Sequence, residues 1–167
     1  MFIGWKPWEV TDPDFGRLTY ARGVWRGRIA ALGPGAVPLE VCGSRRAPDA
    51  AALLMVRSLC ARYAVWRTLL GRQLLEHLLP LREAVDSGAL PPPAEPLPDI
   101  RHPGEVWPYV ATEFVAVAPV GGRLTLDVGY CVMWDEEHIL RARFQEGRFV
   151  ELRGSTLCPQ WGRMRLG

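Results

Sequence analysis

A helical hydrophobic period runs from Pro48 to about Leu81 with a strand period on either side of it, and this alternation restricts the fold more than any other feature of the chain. Val56, Leu59, Cys60, Tyr63, Leu70, Leu74, Leu78 and Leu81 recur at three- and four-residue steps and share one face. Pro48 suits the first helical position, and Asp49 complements the positive helix end. An unbroken helix over 48–79 would be about 48 Å long, whereas a compact sphere of this chain length is only about 40 Å across. The spacing therefore predicts a bend or break, near Gly71 or at Pro80. Arg67 falls in the middle of the apolar face, so its head either snorkels to the edge or meets a carboxylate from the sheet.

Before the helix, residues 16–20 and 24–29 flank Ala21-Arg22-Gly23, where Gly23 can adopt positive φ in a hairpin connection. The Gly33-Pro34-Gly35 turn leads to a third short strand, residues 37–41. Residues 1–14, with Trp5, Pro7, Trp8 and Pro13, read as an irregular lead-in that packs by its indoles. After the helix, Ser87-Gly88 closes the helical region. Prolines then crowd residues 89–98, which favours a semi-rigid polyproline connection.

The last third alternates most clearly. Leu124, Leu126, Val128, Tyr130, Val132 and Trp134 lie on one face of a strand and Thr125, Asp127, Gly129, Cys131 and Met133 on the other. With a strand from Thr112 to Ala118 ending at Pro119, and two more at 138–145 and 148–152, this predicts a four-strand meander. Arg141 and Arg143 share a face on which Glu113 or Glu151 can answer them. Residues 157–167, with Trp161 and Met164, read as a loosely held tail.

These elements predict an α+β fold: one domain, 1–167, in which a single antiparallel sheet from the N- and C-terminal meanders packs against a helical segment. Its parts are 14–87 (N-terminal meander plus helices), 88–109 (Pro-rich connection) and 110–153 (C-terminal meander).

Charge excludes some functions. Twenty Lys+Arg face eighteen Asp+Glu, and Lys6 is the only lysine. Seven basic against four acidic residues over 1–47 is a mild excess that suits an acidic partner, with no stripe able to neutralise successive phosphates. No nucleic-acid partner is expected. No apolar run is long enough to span a bilayer and no signal-peptide pattern opens the chain, so a cytoplasmic location without membrane contact is expected. Cys42, Cys60, Cys131 and Cys158 stand far apart without zinc-type spacing and read as buried thiols of a reduced compartment.

The densest polar group is Trp134-Asp135-Glu136-Glu137-His138. Its carboxylates can in principle bind a metal with His138, or orient it as a general base. Adjacent strand residues point to opposite faces, however, and His77 and His102 lie elsewhere in the sequence. The alternative is an acidic hairpin turn whose histidine bonds a backbone carbonyl or Asp135. Ser44, Ser58, Ser87 and Ser155 lack a nucleophile elbow, and the glycine pairs lack a phosphate-loop lysine. No catalytic, cofactor or metal residues are therefore assigned. Of the seven tryptophans, Trp25, Trp66 and Trp134 fall inside regular elements and suit the core. Trp5, Trp8, Trp107 and Trp161 lie in irregular segments, where an indole either covers the core edge or anchors a partner.

Asp14-Phe15-Gly16, Trp25-x-Gly27, Val37-x-Leu39-x-Val41 and Trp134-Asp135-x-Glu137-His138, with Phe144 and Gly147-x-Phe149, together resemble an uncharacterised bacterial domain-of-unknown-function family with a C-terminal W-D-x-E-H hairpin. Ile139-Leu140-Arg141 stands where that family commonly has a glycine after the histidine motif. Domains related to that family occur in toxin–immunity gene neighbourhoods. The resemblance implies a non-enzymatic module with a protein partner, of the immunity-inhibitor type. Trp134, Asp135, Glu137, His138, Trp5, Trp8 and Trp107 are the candidate contact residues. The rival reading is a small hydrolase-like enzyme built around His138.

Overall fold

The computed structural model describes residues 8–157, with side chains described through residue 154. Eight strands form one sheet in sequence order: β1 (Trp8–Asp12), β2 (Gly16–Ala21), β3 (Val24–Ile29), β4 (Val37–Val41), β5 (Val110–Val120), β6 (Arg123–Val132), β7 (Asp135–Gln145) and β8 (Arg148–Leu157). The helix α1 (Ala50–Asp86) and a 3₁₀ helix (Pro103–Tyr109) lie between β4 and β5. The α+β class is as expected. The sheet is not wholly antiparallel, however: β4 and β5 run parallel through Leu39–Val115, Glu40–Ala116 and Val41–Val117. Two meanders joined through a helical crossover meet in this way when the helix carries the chain back to the end of the sheet from which β4 began.

Several expected boundaries change. Trp8–Asp12 is a strand, not an irregular lead-in, because the turn after it pairs Asp12 with Gly16 and Trp8 with Tyr20. The Asp12 carboxylate fixes that turn by accepting from the backbone N–H of Asp14 (2.9 Å) and Phe15 (3.1 Å), and Gly16 takes φ +66° to complete it. Pro48 lies outside the helix. Asp49 is the N-cap, accepting from the Ala52 N–H at 2.9 Å. Pro119 lies within β5 instead of ending it. The tail carrying Cys158, Trp161 and Met164 falls outside the described residues, as does Trp5.

The expected break in the helix does not occur. All 37 residues from Ala50 to Asp86 are helical, a length of about 55 Å. The fully buried positions of α1 run only from Ala52 to Leu78, about 39 Å, so the core limits that stretch and the remaining turns extend beyond it. Pro80 lies on the exposed side of α1, where water can replace the hydrogen bond it forfeits. Gly71 serves contact: a Cβ there would lie 2.5 Å from the Pro103 carbonyl oxygen, so its absence lets the 3₁₀ helix pack directly on α1.

The core fills the space between α1 and one face of the sheet. Val56, Leu59, Tyr63, Leu70, Leu74 and Leu78 meet Trp25, Leu39, Val41, Val115, Val117, Val128, Tyr130, Leu140 and Ala142, all buried. Polar tips inside it are satisfied. Trp25 Nε1 donates to the Ser44 carbonyl at 2.8 Å, and the Tyr63 and Tyr130 hydroxyls lie 3.3 Å apart. The turn at Asp12 is tied to the helix by Arg57, which reaches both Asp12 and Asp14 at 2.5 Å and lies 5.4 Å over the Phe15 ring. The proline-rich stretch ends in a strap, with Arg82 donating to the carbonyls of Pro98 (2.5 Å) and Ile100 (3.0 Å). No described helix is long and apolar enough to cross a membrane.

Candidate interaction surface

β6 and β7 join through Met133 and Trp134, so Asp135 already stands opposite Val132. From the pair Tyr130–Leu140 to the pair Val132–Asp135, β6 advances two residues while β7 advances five. Glu136 to Ile139 therefore drop out of the ladder with β6, while His138 and Ile139 stay paired with Leu157 and Thr156 of β8, and this bulge defeats the strict alternation expected of a strand. The Asp135 carboxylate folds over this bulge and accepts from the His138 backbone N–H at 3.2 Å and from its Nδ1 at 2.8 Å. That hydrogen bond, with the negative charge of Asp135, raises the His138 pKa above the ordinary histidine value.

His77 on α1 comes to the same place. Its Nδ1 accepts from Trp134 Nε1 at 3.1 Å. Because Nδ1 is the acceptor, the neutral ring carries its proton on Nε2. Burial lowers the His77 pKa and the positive charge of His138 lowers it further, against an opposing pull from Asp135. His77 was missed in the sequence because nothing there relates a helix position to a turn 57 residues later.

The candidate contact residues divide. Trp134 is only 7% exposed, its indole committed to the core and to His77. Trp107, in the 3₁₀ helix, is half-buried between Tyr130 (6.1 Å, edge-on) and the guanidinium of Arg67 at 4.5 Å. This is also where Arg67 goes: its head reaches solvent over an indole and, among the described residues, pairs with no carboxylate. Trp8 is 49% exposed at the sheet edge, and Glu137 is exposed on the bulge. Asp135 and His138 form one dyad on β7, with five strands between it and Trp8 on the edge strand β1. Among the described residues no group of three His, Cys, Asp or Glu side chains is placed to hold a metal ion. Cys42, Cys60 and Cys131 are half-buried, and burial pushes the Cys42 and Cys60 thiols up, away from thiolate reactivity.

A second feature appears only when the register is known. On the sheet face turned away from α1, Glu9, Thr19, Arg26, Glu40, Ala116, Asp127, Arg143 and Glu151 stand in line across all eight strands, each opposite the next. Arg26 bonds Glu40 at 2.8 Å. Arg143 binds Asp127 through two nitrogens, at 3.0 and 3.3 Å, and Glu151 at 3.2 Å. Glu113, one of the two carboxylates expected to answer the arginines, is replaced in that role by Asp127. In the adjoining row Phe114 lies across Gly129, where a Cβ would come within 2.3 Å of its ring, and Arg141 lies 5.3 Å over the same ring. No family model, curated protein or solved structure matches the chain.

Proposed function

We propose that this chain is a non-enzymatic protein-binding module, acting as an immunity-type inhibitor. The observation that carries the reading is the charged row on the sheet face opposite α1. Charged side chains held in register by strand pairing and by one another are pre-organised, so a partner meets them with little ordering cost. On this face Arg26 and Glu40 form a surface pair that is 47% and 46% exposed, and Arg153, 62% exposed, is open to a partner. The resemblance of the Trp134-Asp135-x-Glu137-His138 hairpin to a family related to toxin–immunity neighbourhoods gives the biological form of the reading.

Affinity capture with the full chain from its native cells, followed by reconstitution from purified components, is the test. A stoichiometric complex with one protein, encoded beside this chain and toxic without it, is the expected result. No stoichiometric complex and no neighbouring toxin gene would overturn it.

The Asp135–His138 dyad favours a second reading, a small hydrolase-like enzyme, because Asp135 orients the imidazole and leaves Nε2 free to take a proton. A hydrolase screen separates the two. Activity lost in His138→Ala with an unchanged melting temperature selects the enzyme.

A further inference from the structure

The three arginines at the β6–β8 end of the charged face are unequally paired. Arg143 takes both oxygens of Asp127 and one of Glu151. Arg141 then approaches Asp127 only to 3.9 Å and Arg153 approaches Glu151 only to 3.8 Å, both beyond hydrogen-bond distance. Each guanidinium has five N–H donors. Arg141 Nε is shut off from solvent with no acceptor among the described residues, and its head is held in place by the Phe114 ring. Arg141, Arg143, Glu151 and Arg153 line a hollow of about 30 Å³.

Resting on the binding-module reading, we propose that this hollow anchors the partner, receiving one carboxylate side chain of an acidic protein surface between Arg141 and Arg153. Three guanidinium groups against two carboxylates leave one uncompensated positive charge, which a monoanion matches. A planar carboxylate also fits the fork of a guanidinium with two parallel hydrogen bonds. Glu151 in the lining disfavours a phosphate dianion, and the hollow has room for little more than one small group. A nucleic-acid strand needs cations spaced along successive phosphates, whereas these arginines converge on one point, and Arg26 further along the row is already held by Glu40.

The test titrates a labelled, end-capped oligoglutamate peptide with the full chain by fluorescence anisotropy, alongside labelled oligothymidylate and with inorganic phosphate as competitor. Saturable peptide binding is expected, weakened at least about tenfold by Arg141→Ala or Arg153→Ala and unchanged by Arg72→Ala on the outer side of α1. Arg153 is mostly exposed, so its variant reports on binding even if Arg141→Ala disturbs the sheet. Absence of saturable peptide binding, equal loss in Arg72→Ala, or tighter binding of oligothymidylate or phosphate would overturn the proposal. If Arg153→Ala captures the same protein as the parent chain with the same affinity, the anchor is wrong while the binding-module reading stands. If the parent captures none, that reading falls as well.

Discussion

Gly71 and Gly129 show how much of this molecule depends on atoms that are missing. Exchanging a helical glycine for alanine ordinarily stabilises by about 1 kcal/mol. At Gly71 the new methyl would meet the Pro103 carbonyl oxygen at 2.5 Å and Trp107 Nε1 at 3.4 Å. We expect Gly71→Ala to cost about 1–3 kcal/mol, a drop of several degrees in the thermal midpoint. A rise in that midpoint would mean that the 3₁₀ helix yields freely. In the sequence Gly71 read as a helix break, since a glycine needed for flexibility and one needed for contact are the same letter. His77 likewise read as an isolated helical histidine. Arg67 was legible as an inconsistency on an apolar face, but its resolution by an indole required knowing where Trp107 lands.

Among the elements, α1 is held at several points along its length: by the Asp12–Asp14 turn at Arg57, by Trp134 at His77 and by the proline strap at Arg82. Trp134→Phe removes the N–H donor to His77 together with part of the buried bicyclic ring. It should cost about 2–3 kcal/mol and raise the His77 pKa towards the ordinary histidine value, because a hydrogen bond that favours the neutral ring is lost. Proton NMR titration of His77 checks this, and an unmoved pKa would show that burial and the neighbouring charges of Asp135 and His138 set it without the indole. Arg82→Ala should leave the thermal midpoint nearly unchanged while making residues 89–100 more sensitive to a broad-specificity protease. Equal proteolysis in parent and variant would mean that the strap does not depend on Arg82. The elements themselves were largely readable from periodicity. Their seams were not: the bulge from Glu136 to Ile139 leaves no trace in the alternation, and it is the bulge that brings Asp135 onto His138.

At the scale of the whole molecule, the parallel contact between β4 and β5 was invisible to local patterning, because strand direction depends on where a 37-residue helix returns the chain. Asp12 links this architecture to pH. Burial alone would raise its pKa, but the backbone hydrogen bonds from Asp14 and Phe15 and the Arg57 guanidinium outweigh that and hold it below the ordinary aspartate value of 3.8. Its stabilising contribution is therefore complete above that value and is lost as pH falls through the lower, folded-state pKa. Denaturant melts of Asp12→Asn should show a loss of about 1–3 kcal/mol at neutral pH and a flatter decline below pH 3.8 than the parent. An identical acid profile in both chains would place the acid sensitivity elsewhere.

The aligned charges from Glu9 to Glu151 also bear on how the chain finds its own structure. Were β7 to slide one position along β6, the side chains of Arg141 and Arg143 would be thrust into the apolar layer. A slide of two positions, which preserves inside and outside, would bring either Arg141 or Gln145 opposite Asp127 and part the doubly bonded Arg143 from it. Hydrophobic contact alone tolerates such a two-step error, since one aliphatic neighbour substitutes for another. The ionic partners do not, and so they proofread the assembly of the sheet.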